Sequence, residues 1–283
     1  MSMPPAVPLS YLFVPGHRPE RFAKALASGA DRVIIDLEDA VSPSDKATAR
    51  EAIAAWMPSA NEEIHGKLLI RINDASTGWY ADDLQLLRQV RAVCVMLPKC
   101  ESTRQVADVL GPLDAGTTVL PLVETARGLL AAFDLATAPG IARLAFGSLD
   151  YMADLDIPAD SPALQYAAIQ LAIASRAGGL PSPVAGVTPD IDAGRVAADM
   201  AQARCVGFGA KMCIHPAQVA AVHRALRPDA EEQAWAQRIL SASRAAGGGA
   251  IQFDGKMVDR PVVLKAERIV ALASRTPDFL QDT

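Results

Sequence analysis

Several common chemistries are missing from this sequence. It has four cysteines, Cys94, Cys100, Cys205 and Cys213, and no two stand in CxxC spacing. That disfavours a redox couple or a thiolate metal site, and the cysteines read as buried reduced thiols. No His or Cys cluster has zinc spacing either. Basic charge is in deficit: 27 Lys and Arg stand against 32 Asp and Glu, for a net charge of −5. A nucleic-acid partner is therefore not expected. The GxGxxG and Walker patterns are absent, which removes the usual phosphate cradles. Asp134, Pro139 and Arg143 interrupt the most apolar region, so no run approaches a membrane span. The opening MSMPPAVPLSYLFVPG lacks the basic start and long apolar centre of a secretory signal. The expectation is a cytoplasmic protein with no membrane partner.

What is present is a regular alternation. The 283 residues are 51% hydrophobic, ample for a large core. Short apolar runs recur at 11–14, 32–37, 67–72, 92–97, 118–123, 141–146, 183–187 and 210–214, with helical patterns between most of them. The helices are expected at 19–28, 44–56 (Ser44 as N-cap), 78–90, 101–110, 162–177 and 190–203, with another behind Glu124. Eight such units in about 225 residues fit a (β/α)8 TIM barrel. A doubly wound open sheet is the rival, and eight regular units without a nucleotide fingerprint favour closure. The expected organisation is an N-terminal arm at 1–10, a barrel at 11–227 and a helical C-terminal extension at 228–283. The extension carries helices at 231–245 and 261–273, a flexible triple glycine at 247–249 and an extended piece at 250–254.

In such barrels the active site lies at the C-terminal ends of the strands. Those positions hold His17-Arg18, Glu38-Asp39, Arg71 to Asn73, Lys99, Glu124, Asp150, Thr188 and His215. Glu124 and Asp150 close neighbouring strands, and paired carboxylates suit a hard cation such as Mg²⁺. Equally, Glu124 could cap the helix behind it. Arg71 closes a strand, where a fixed guanidinium can capture a carboxylate bidentately or form a structural salt bridge to Glu38 or Asp39. Lys99 reads in the same way. Glu38 and Asp39 could bind metal, hold Arg71, or pair with Lys46 or Arg50; orienting the groups that touch ligand is the preferred reading. His215 reads as a hydrogen-bonded structural histidine.

The segments LFVPG (12–16), DLEDAV (36–41), RIN (71–73), LPK (97–99), LVETARG (122–128), FGSLD (146–150) and GAKMCIHPAQV (209–219) resemble the citrate lyase beta subunit family. That family includes malyl-CoA and citramalyl-CoA lyases and belongs to the HpcH/HpaI aldolase superfamily. The similarity runs in order from Tyr11 to Ala273. It implies a (β/α)8 barrel, usually a homotrimer, that uses Mg²⁺ to cleave or form a carbon–carbon bond next to a thioester. By the resemblance the metal ligands fall on Glu124 and Asp150, and the carboxylate-binding arginine on Arg71. A catalytic aspartate, reaching over a neighbouring subunit, falls on Asp259. CoA phosphates would meet His17, Arg18, Arg21 and Lys24, with Lys99 a further substrate contact. One departure is Leu149, where many members carry an acid, and it bears on the substrate more than on the metal. The rival readings are a citrate lyase subunit acting on an acyl-carrier-protein thioester, a CoA-free 2-oxo acid aldolase, and a ligand-binding barrel without turnover.

Overall fold

The computed structural model describes residues 7–247, 251–253 and 255–274. Two compact units result, residues 7–222 and the stretch from residue 223 onward. In the first, eight parallel strands close into a barrel in chain order: β1 Ser10–Pro15, β2 Arg32–Asp36, β3 Leu68–Arg71, β4 Cys94–Leu97, β5 Thr118–Val123, β6 Ala145–Phe146, β7 Val184–Ala185 and β8 Ala210–Cys213. The expected (β/α)8 barrel is therefore the fold. Period-two alternation turns Tyr11, Ile34, Leu69, Met96, Leu120, Leu122, Ala145, Val184, Ala210 and Met212 into one interior cluster. The residues between them, such as Val33, Ile35 and Val95, are buried on the other face. Strands covered on both faces read as continuous apolar runs, which is why they stand out in the sequence.

Helices α1 Phe22–Leu26, α2 Lys46–Trp56 and α3 Glu62–Lys67 lie between β1 and β3. Then come α4 Tyr80–Gln89, α5 Thr103–Leu110, α6 Ala126–Leu130, α7 Ala132–Thr137, α8 Ser148–Leu155, α9 Pro162–Ala177 and α10 Ala193–Cys205. The boundary between the units falls within α11, Pro216–Leu226. Among the described residues, no helix is long and apolar enough to cross a membrane.

Three local expectations are corrected, and one helix is additional to those expected. Ser44 does not cap α2, because Pro43–Asp45 forms a 3₁₀ turn and the Ser42, Ser44 and Asp45 side chains bond one another. The strand expected at 141–146 is reduced to its last two residues. There the buried Arg143 donates to the carbonyls of Pro8 and Ser182 and lies against the Tyr11 ring. The short helix α3 escapes the periodicity but is capped by Asn61, whose carbonyl oxygen accepts from the Ile64 N–H at 2.9 Å. Of the four free cysteines, Cys100 and Cys213 are buried and Cys94 partly so, but Cys205, the last residue of α10, is exposed.

In the second unit α12 Ala230–Ala245 opens with a capping box between Asp229 and Glu232. A hairpin of β9 Ile251–Phe253 and β10 Lys256–Val258 follows, then α13 Arg260–Ala273. Ala236, Ile239, Val258 and Ala266 form its core, with Val263, Ile269 and Val270 packed against it. Part of α13's apolar face is thus covered within this unit. Of the triple glycine, 248–249 lies outside the described residues.

Candidate functional site

The C-terminal mouth of the barrel gathers an acid-rich cluster around two cations. Arg71 ends β3 in register with Asp36, which ends β2. Both occupy inward positions of the alternation, and both are buried. Asp36 grips the guanidinium bidentately, accepting from Nε and from Nη2 at 2.7 Å each. Its carboxylate also accepts the backbone N–H groups of Glu38 at 2.9 Å and Ala40 at 3.0 Å, so one side chain shapes the loop and holds the arginine. Asp39 adds a contact to Nη1 at 3.4 Å. Glu38 Oε2 stands 2.8 Å from the same nitrogen as an ion pair, without hydrogen-bond geometry. The guanidinium stacks on Phe13, with Cζ 4.7 Å from the ring centre. Burial alone would lower the arginine's pKa, but Asp36, Glu38 and Asp39 outweigh it and hold it above its ordinary value.

The opposite wall centres on Glu124, the residue after β5, and this side chain is buried. It does not cap α6. Thr125 does so, accepting the Gly128 N–H at 3.0 Å, while its own hydroxyl donates to Glu101 at 2.8 Å. Glu124 Oε1 instead accepts the Lys99 backbone N–H at 2.8 Å. Lys99 meets that geometry in the left-handed region, at φ 43°. For a residue with a side chain that conformation costs about 1–2 kcal/mol. On the other side, Gly147 packs so closely that a Cβ there would overlap the Glu124 carboxylate. The glycine of FGSLD is therefore required by the acid opposite it. Asp150 stands in the first turn of α8 and is exposed, rather than ending a strand as expected. Lys99 lies between the two groups of acids, with Nζ 3.7 Å from Glu38 Oε1.

The electrostatics follow from burial and crowding. Burial, with Glu38 and Asp150 adding repulsion, pushes Glu124 up to about 8, although the Lys99 N–H opposes the shift. Burial pushes Glu38 up to about 7, with Arg71 opposing and Asp39 and Asp36 adding. Lys99 moves up: its partial burial opposes, and Glu38, Glu124, Asp150 and Asp39 prevail. Neighbouring acids that raise one another's proton affinity are a place where a hard cation gains most. Among the described residues no group of three or more His, Cys, Asp or Glu could hold a metal ion. Glu124 and Asp150 together offer a cation two carboxylates, a number that Mg²⁺ accommodates because it keeps waters and takes substrate oxygens.

Other expected residues fall elsewhere. Arg18 is exposed and pairs with Glu20 at 2.6 Å rather than with the acid cluster. His17 has a buried Nδ1 without a hydrogen-bond partner. Neither Lys46 nor Arg50 forms an ion pair with the Glu38 or Asp39 carboxylate. Lys46 Nζ donates to the carbonyls of Leu37 and Glu38, and Arg50 pairs with Asp82 and Asp83. His215 Nδ1 accepts the Ala217 N–H at 3.2 Å, a structural bond as expected. Asp259 occupies the N-cap position of α13 in the second unit, and its side chain caps nothing there. Asp36 is the residue that motif reading missed. Its signal was the period of two, since Ile34 faces inward and Asp36 must follow it.

A (β/α)8 barrel whose mouth holds two candidate metal carboxylates beside an acid-gripped arginine has the layout of a barrel enzyme for small oxygen-rich acids. The sequence profile of the HpcH/HpaI aldolase/citrate lyase family matches residues 9–216, and the chain belongs to that family. A citrate lyase subunit beta-like protein of Mycobacterium tuberculosis is 38% identical over 270 residues, covering 93% of this chain and 94% of the relative. A (3S)-malyl-CoA thioesterase of Cereibacter sphaeroides is 29% identical, covering 95% of this chain and 96% of its own length. Among solved structures, CitE of Mycobacterium tuberculosis in complex with magnesium, acetoacetate and coenzyme A superposes with a TM-score of 0.84 at 36% identity. It covers 95% of this chain and 99% of that one.

Proposed function

We propose that this chain is a Mg²⁺-dependent carbon–carbon lyase. Its substrate is a 3-hydroxyacyl thioester such as malyl-, citramalyl- or citryl-CoA, cleaved to a 2-oxo acid and an acyl-CoA or formed in reverse. The observation that carries this reading is the pairing, across one barrel mouth, of the Glu124–Asp150 acids with an arginine fixed by Asp36. The relatives named for citrate lyase and malyl-CoA, and the magnesium, acetoacetate and coenzyme A of the structural neighbour, support it.

Glu124 and Asp150 would hold Mg²⁺, which when bound supplies Lewis-acid stabilisation worth several kcal/mol to oxygen charge that builds as the bond breaks. Arg71 engages Asp36 and Asp39 through three N–H groups. A guanidinium carries five, so two remain, one of them on the nitrogen that also faces Glu38, and these are the donors offered to a substrate carboxylate. Lys99 balances the charge between the acid groups and offers a second cationic contact to the substrate. Asp259, from a neighbouring copy in a homotrimer, acts as the base that takes the hydroxyl proton, a contribution of about 10²–10⁴-fold. Arg18, with His17, Arg21 and Lys24, meets the CoA phosphates at the end of β1.

The test is a panel of malyl-, citramalyl-, methylmalyl- and citryl-thioesters, on CoA and on acyl carrier protein, assayed with Mg²⁺ for 2-oxo acid. Release of 2-oxo acid from a CoA thioester supports the proposal. Turnover confined to acyl-carrier-protein thioesters would identify a citrate lyase subunit instead. Thiol release without 2-oxo acid would identify a thioesterase.

A further inference from the structure

One buried charge in the barrel has no part in the chemistry above. Lys211 lies in β8 between Ala210 and Met212, which face the barrel interior, so its own side chain points toward the helix layer. It is 4% exposed, and a lysine is almost never so buried unless its ammonium is paired. Its ammonium donates to the carbonyl of Gly186, just past the end of β7, at 2.7 Å. Burial holds its pKa below that of an ordinary lysine, with Asp199 and the Cys213 thiol opposing.

Gly186 is the connection to the mouth. A Cβ on it would overlap the hydroxyl of Ser148 and come within 3.0 Å of the Phe146 carbonyl. Ser148 is the first residue of α8, and Asp150 stands two residues further on in the same turn. The chain of contacts therefore runs from the Lys211 ammonium to the Gly186 carbonyl, and from the Gly186 backbone to the start of α8. A second buried side chain fixes the loops on that side. Gln218 accepts the Ile214 N–H at 2.8 Å and donates to the carbonyls of Thr188 at 2.9 Å and Asp190 at 2.8 Å. Beyond its ladders to β6 and β8, the end of β7 has the Lys211 ammonium on the Gly186 carbonyl as a side-chain anchor.

We infer that Lys211 is a positioning residue for Asp150: by anchoring the Gly186 carbonyl it seats the Ser148 turn and sets where the Asp150 carboxylate stands. The inference rests on the reading of Asp150 as a Mg²⁺ ligand. Lys211 touches neither the ion nor the substrate, so its effect is on metal affinity first and on turnover through it.

The experiment is Mg²⁺ titration by calorimetry on wild type, Lys211→Met, Gly186→Ala and Thr188→Val, with unfolding curves for each. Lys211→Met keeps the bulk and removes the donor, and should weaken Mg²⁺ binding about 10- to 100-fold, the range for removing a group that orients a ligand. Gly186→Ala strikes Ser148 directly with Lys211 intact, so it tests the later link of the chain of contacts, and should give a similar loss. If Lys211→Met does not fold, unchanged Mg²⁺ affinity in Gly186→Ala still breaks that chain. Thr188→Val breaks the hydroxyl bond from the loop after β7 to Asp199 in α10. It should lower stability yet leave Mg²⁺ affinity within about threefold of wild type, well under the loss expected for a positioning residue. Folded Lys211→Met or, failing that, Gly186→Ala with wild-type Mg²⁺ affinity overturns the inference. Wild type that does not bind Mg²⁺, or Asp150→Asn that binds it as well as wild type, defeats the underlying reading instead.

Discussion

Asp36 offers a way to measure how firmly the arginine at the mouth is held. Its carboxylate is fully buried and accepts four N–H groups, two from Arg71 and one each from Glu38 and Ala40. In Asp36→Asn the carboxamide keeps one acceptor oxygen and turns an NH₂ group toward donors. Removing one member of a buried ion pair typically costs about 3–5 kcal/mol. Glu38 and Asp39 still face the guanidinium, which places the expected loss near the lower end, about 3 kcal/mol. That is over a hundredfold in the folded-to-unfolded ratio, at about 1.4 kcal/mol per factor of ten. Arg71→Met should cost a similar amount, because it leaves a buried aspartate with only the two backbone donors. The double variant removes both charges, so its loss should fall short of the sum by about 2 kcal/mol, within the usual range for residues in contact. Urea unfolding of the four proteins at pH 7 supplies the cycle. Losses that add to within about 0.5 kcal/mol would mean that the two side chains act independently and that Asp36 does not hold Arg71.

Three further outcomes are expected. Glu124 and Glu38, pushed up to about 8 and about 7 from 4.5, keep protons in the folded chain that the unfolded chain has released. Metal-free stability should therefore fall as pH rises from about 5 to 8. Because Mg²⁺ requires ionised Glu124, its stabilisation should be larger at pH 8.5 than at pH 6, and equal melting shifts at the two pH values would contradict this. Gly147→Ala should weaken Mg²⁺ binding at least tenfold, since its Cβ displaces the Glu124 carboxylate proposed to hold the ion; calorimetric affinity equal to wild type would show that Glu124 has room to give. Glu124→Gln and Asp259→Asn should each be inactive, and co-expressed as mixed oligomers they should regain activity in sites holding both wild-type residues. Verified mixed oligomers as inactive as the separate variants would remove Asp259 from its neighbour's site.

The barrel was legible in the sequence because strands buried on both faces leave apolar runs that no surface position interrupts. β5 and α9 match their expected limits residue for residue. β6 does not, because the apolar pattern cannot reveal that Arg143 leaves the ladder to hold backbone carbonyls. The rim positions of Arg71, Lys99 and Glu124 were equally legible, since a strand end fixes where a side chain starts. What the side chain does was less so. Glu124 and Thr125 both suit a helix start, and only the three-dimensional arrangement shows that Thr125 caps while Glu124 turns to Lys99. Asp36 was passed over beside the charged pair Glu38-Asp39, although its inward phase in β2 matched that of Arg71 in β3. Lys211 looked like an ordinary strand residue, and its bond to Gly186 depends on a register between β7 and β8 that composition does not encode.

Under the proposed function, this mouth breaks a carbon–carbon bond with Mg²⁺ held by Glu124 and Asp150. The most direct measurement follows 2-oxo acid, acyl-CoA and free thiol together from the best thioester of the panel, with Mg²⁺, after exhaustive EDTA treatment, and in Glu124→Gln. The expected result is 2-oxo acid and acyl-CoA in equal amounts, with no free thiol, at a rate abolished by EDTA and by the substitution. Equal product formation after EDTA, or free thiol in place of 2-oxo acid, would contradict it.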